Sequence, residues 1–146
     1  MFTFATDYFL LVFVATLGVI QLAASLGGLK GLLVFKSPLI ARPLGLALVI
    51  AGFVLFFSTD ERNLNDYRGG LDANTQALFF FLGVLAGGWV TFLGSSVVNM
   101  RMKGTDPSPD GGFDALRETN YVRALMRSLG YWSRNWRQQM KSYFSG

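Results

Sequence analysis

The sequence predicts an all-α integral membrane protein in which three transmembrane helices are followed by a cytoplasmic amphipathic helix. Three observations predict it. The chain is 51% hydrophobic and only 15% charged over 146 residues, far more apolar than a water-soluble domain of that size. Its charges leave three gaps, from Tyr8 to Leu29, from Pro43 to Thr59 and from Ala73 to Met100. Beyond the last gap the chain becomes basic and aromatic, as in "GYWSRNWRQQMKSYF" at 130–144.

A helix crosses about 30 Å of hydrocarbon in about 20 residues at 1.5 Å each. The first and third gaps suffice alone. Leu39, Ile40 and Ala41 extend the middle one, provided the Arg42 guanidinium reaches back to the headgroups. The expected spans are therefore 8–26, 39–58 and 77–98, within a membrane domain over 1–103. Asp7 precedes the first apolar run with no Lys or Arg before it, whereas an export signal opens with positive charge. The first run is thus expected to be a retained span.

Cytoplasmic connectors collect Lys and Arg, which fixes an expected orientation. The first connector carries Lys30, Lys36 and Arg42 and no acid. The second carries Asp60, Glu61, Asp66 and Asp72 against Arg62 and Arg68. Beyond the third span, eight cations face four acids. The expected arrangement has the N-terminus outside, the acidic connector outside and the C-terminal region in the cytoplasm, in a membrane of the bacterial inner type.

The stretch "GTDPSPDGG" at 104–112 has two prolines and too little apolar area to pack, and reads as a linker. From 113 to 146 a basic helical tail is expected, capped by Thr119 or Asn120. At 100° per residue, Leu125, Leu129, Trp132 and Trp136 share one side with Tyr121, Val122, Met140 and Tyr143. Arg123, Arg127, Arg134, Arg137 and Lys141 fall on the other. Such a helix suits either an anionic membrane surface or a larger membrane subunit. Because aromatics and cations occupy opposite faces, a nucleic-acid strand could not meet both, and no nucleic-acid partner is expected.

Within the spans, Gly83, Gly87, Thr91 and Ser95 recur every fourth residue, with Gly88 and Gly94 alongside. Small residues let helices approach closely in lipid, so this stripe is expected to face another helix, together with Gly18 on the first span. Gln21, the most polar side chain deep in a span, is expected to hydrogen-bond to a neighbouring helix. No Asp, Glu, Lys, Arg or His lies in the three expected cores, which argues against a proton-coupled transporter.

The chain has no His and no Cys, so the usual ligands of haem, iron–sulfur clusters and structural zinc are missing, and no cofactor or metal site is assigned. The acidic run "DERNLNDYRGGLD" does not follow the EF-hand spacing. With no nucleophile and base in register, no catalytic residue is assigned and no enzyme activity is expected. The expected function is that of a non-catalytic accessory subunit of a larger integral-membrane complex of respiratory, photosynthetic or transport type. A small self-associating transporter or channel lined by Thr91, Ser95 and Gln21, and a lipid-surface-sensing anchor, are the competing expectations.

Overall fold

The computed structural model describes residues 4–58, 72–102 and 112–144. Among these the elements are all helical: α1 (Phe4–Gly27), a 3-10 turn (Lys30–Leu32), α2 (Pro38–Ser58), α3 (Ala73–Val98), a second 3-10 turn (Gly112–Arg117) and α4 (Tyr121–Phe144). Helices α1, α2 and α3 are each long and apolar enough to cross a membrane. The acidic connector over 59–71 and the linker up to residue 111 lie outside the described residues.

Helices α1 and α3 begin at Phe4 and Ala73, each four residues ahead of the expected span. Asp7 sits in the first turn of α1, where a negative charge favours the positive end of the helix dipole and so extends the helix. Asp72 caps α3, accepting a 3.3 Å hydrogen bond from the Thr75 amide. Contacts with the Thr75 hydroxyl and amide hold the Asp72 carboxyl below its ordinary range. The cap is therefore intact above that range and is lost only as pH falls through the lowered value. Pro38 opens α2 at the position where its missing N–H costs nothing. Helix α1 ends at Gly28, whose φ of +69° lets the Leu29 amide return to the Ala24 carbonyl at 2.9 Å.

Helix α1 is central, with α2 and α3 packed on it and scarcely touching each other. Along the α1–α2 seam, a Cβ on Gly18 would lie 2.5 Å from the Gly45 carbonyl oxygen, and one on Gly52 would lie 3.2 Å from that of Leu11. Along the α1–α3 seam, a Cβ on Gly83 would lie 2.8 Å from the Val12 side chain, and one on Gly87 the same distance from Thr16. Such close backbone approach gives dense dispersion contact along both seams. The pairings run in opposite order along α2 and in the same order along α3. Thus α2 is antiparallel to α1, α3 is parallel to it, and the start of α1 and the end of α3 stand at opposite ends of the bundle.

The stripe continues through Thr91 and Ser95, both buried, whose hydroxyls donate to the Gly87 carbonyl at 2.9 Å and the Phe92 carbonyl at 3.2 Å. Gly88 and Gly94 depart from it. A Cβ on Gly94 would meet nothing within 4 Å, and one on Gly88 would meet only the Phe92 ring of its own helix. Each lies one residue, about 100°, off the stripe, which turns it away from α1.

Candidate functional site

The described residues that hold the most polar chemistry gather where the first connector, the end of α3 and the start of α4 meet. Gln21, 5% exposed, clamps the connector backbone: its Nε2 donates to the Leu32 carbonyl and its Oε1 accepts from the Val34 amide, both at 3.0 Å. The expected helix partner is thus replaced by a loop. The physical reason is that a backbone turning at the end of a bundle leaves carbonyls and amides that no helix satisfies, and a side-chain amide offers one donor group and one acceptor. From the other side Asn99 donates to the Leu33 carbonyl at 2.7 Å and to the Ser95 carbonyl at 2.9 Å.

Replacing Gln21 by Leu keeps the volume but orphans one carbonyl and one amide. Buried groups left unmade cost about 1–3 kcal/mol each. The expected outcome is a clearly lower unfolding midpoint for Gln21→Leu in detergent, and an unchanged midpoint would show that the clamp is not needed.

The tail is docked on this junction. Asn120 caps α4, accepting from the Arg123 amide at 2.9 Å, while its Nδ2 donates to the Asn99 carbonyl at 3.4 Å. The Val122 amide donates to Ser96 Oγ at 3.2 Å, and Arg123 Nη1 donates to the Met102 carbonyl at 2.8 Å. Tyr121 stacks on Phe92 with centroids 4.3 Å apart and planes 14° from parallel. Ahead of α4, Leu116 is buried with Ala24, Leu32, Leu33 and Ala41. Gly31 lies so close to the Thr119 and Leu116 carbonyls that no side chain fits there. Asn99 Oδ1 and Thr119 Oγ1 are buried with no hydrogen-bond partner, so this docking carries an electrostatic cost.

Beyond Ala124 the helix leaves the bundle. Leu125, Met126, Leu129, Trp132, Trp136 and Met140 are exposed, the two indoles at 67% and 65%. Arg123 is half-buried, and Arg127, Arg134 and Arg137 are exposed on the opposite side, with Arg134 Nε donating to the Gly130 carbonyl at 3.1 Å. The backbone at Lys141 continues the helix, but its side chain, like that of Tyr143, lies outside the described set. From Tyr121 to Gly146 the sequence contains no Asp or Glu.

At the other end of the bundle the structure places one group that sequence reasoning left outside the spans. Asp7 lies inside α1, 8% exposed, at a crevice of about 240 Å³ between α1 and α2 that Leu11, Val14, Gly52 and Phe56 help to line. The charge-free gap begins one residue later, so gap counting excluded it. An acid immediately before an apolar run fits the first turn of a helix, and that placement is the signal the sequence offers. Edge-on contacts of Phe56 with Phe4 and Tyr8, at 5.6 and 6.2 Å, close this end.

No protein-family model, no curated protein and no solved structure matches this chain.

Proposed function

We propose that the chain is a non-catalytic accessory subunit of a larger integral-membrane assembly, in which α1–α3 cross the membrane and α4 braces its cytoplasmic side. The observation that carries the reading is the docking of α4: its first turn is tied to the bundle by Asn120, Tyr121, Val122 and Arg123, while the rest of its apolar stripe is bare. A tail fixed at one end and exposed along its length is built to present a surface.

Orientation draws support from the gathering of charge. The first connector, with Lys30 and Lys36, meets the basic tail at one end of the bundle, and Asp72 stands at the far end. The positive-inside rule puts the shared basic end in the cytoplasm.

The close-packed glycines are spent inside the chain, so companion subunits would meet the apolar outer side of α3, where Leu85, Trp89 and Val97 are exposed, and not the small-residue stripe. The geometry weighs against a pore. Thr91, Ser95 and Gln21, the polar groups that would line one, are buried and bonded within the chain.

Purification from the native membrane in mild detergent tests the proposal. A particle well above the 16.1 kDa of the chain, with other polypeptides in fixed ratio, is expected. A chain that runs alone would overturn it.

A further inference from the structure

We infer that α4 lies in the plane of the anionic inner leaflet with Trp132 and Trp136 turned into the lipid, its roll set by the stacking of Tyr121 on Phe92. The inference rests on the reading that α1–α3 span the membrane, and it names what the bare side of α4 contacts.

Roll is the quantity that decides the matter, and the junction fixes it. The cap of α4 sits at Asn99, beyond the last turn of α3, whereas Phe92 lies seven residues back, about 10 Å toward the middle of the bundle. The Tyr121 ring therefore points from the end of α3 toward the hydrocarbon. Helix α4 is continuous from Tyr121 to Phe144, so every later side chain inherits its direction from Tyr121. At 100° per residue, Trp132, Leu125, Trp136 and Leu129 fall within about 80° of Tyr121, and Arg123, Arg127, Arg134 and Arg137 at about 160–240°. The indoles thus face the membrane without any rearrangement of the junction.

Charge then identifies the lipid. A helix about 10 Å across keeps its far-side cations within roughly one screening length of the headgroup plane at physiological salt, and the arginine side chain is long enough to shorten that distance. With no acid on α4, every charge on it is attracted to an anionic leaflet, and indole rings suit the headgroup boundary.

The test uses the full chain in nanodiscs, with single-tryptophan variants that retain Trp89, Trp132 or Trp136 and carry Phe at the other two positions. All three indoles are exposed, so Phe leaves the packing alone. In phosphatidylglycerol nanodiscs, Trp132 and Trp136 are expected to emit to the blue and to be quenched by bromines high on the acyl chains, and Trp89 by bromines lower down. In pure phosphatidylcholine the quenching of Trp132 and Trp136 should weaken, as it should on phosphatidylglycerol in Arg134→Glu/Arg137→Glu.

Quenching of Trp89 with none of Trp132 or Trp136 overturns the inference while leaving the accessory-subunit reading intact, the face then belonging to a protein companion. Equal quenching on both lipids overturns the choice of an anionic surface. Absence of Trp89 quenching removes the spanning bundle, and both readings fall with it. On the native chain, slower hydrogen exchange over 125–140 on phosphatidylglycerol than on phosphatidylcholine is the second readout, and equal rates count against the inference.

Discussion

Gly31→Ala is expected to release α4 from the bundle without unfolding α1–α3. A methyl group there would overlap the Thr119 carbonyl oxygen and press on the Leu116 carbonyl, and both are backbone atoms of the segment that leads into α4. A side chain could rotate away; a carbonyl moves only if Gly112–Arg117 and the start of α4 move with it. Overpacking of this kind costs about 1–3 kcal/mol, roughly five- to 150-fold in an equilibrium between docked and undocked states. The unpartnered Asn99 and Thr119 oxygens already weigh against docking, so little reserve offsets that penalty. Hydrogen exchange is the measurement: the Val122 amide, now bonded to Ser96 across the junction, should lose protection, while the Val34 amide held by Gln21 should keep it. Unchanged protection at Val122 would refute the account of the junction.

Gly87→Leu is expected to break the α1–α3 seam, and Gly94→Leu to be tolerated. The two substitutions add the same side chain to one helix. At Gly87 the first added atom already falls 2.8 Å from Thr16 Cβ and 3.1 Å from the Phe13 carbonyl, so α3 must separate from α1 and lose the close contact along that seam. At Gly94 the same atom meets open space. Gel filtration in detergent should show aggregation or loss of expression for the first variant and a wild-type profile for the second. Equal behaviour of the pair would mean that the seam is not where the structure puts it.

Much of the architecture was legible because apolar length and charge spacing report directly on helices that can cross a membrane. The seam along Gly83, Gly87, Thr91 and Ser95 could be read from its period of four. Gly88 and Gly94, one position off that period, point about 100° away and do not meet α1, a distinction that composition alone does not draw. Charge spacing locates apolar length but not helix starts: Asp7 lies within the first turn of α1 and Asp72 caps α3, so both helices extend beyond the apolar run itself. The tail's two faces followed from its sequence, but its docking did not. Asn99, Asn120 and Gln21 are isolated amides whose partners are backbone groups distant in sequence, and no local pattern announces such a contact.

Because α2 and α3 each pack on α1 and hardly on each other, the bundle has two seams that meet only at the connector end, around Leu32 and Leu33. Damage confined to α2 should therefore leave the α1–α3 seam in place, and damage confined to α3 the α1–α2 seam. It also allows an order of assembly during synthesis: α1 and α2 can close as a hairpin along Gly18 and Gly45 before α3 has left the ribosome, and α3 joins a partner that is already in place.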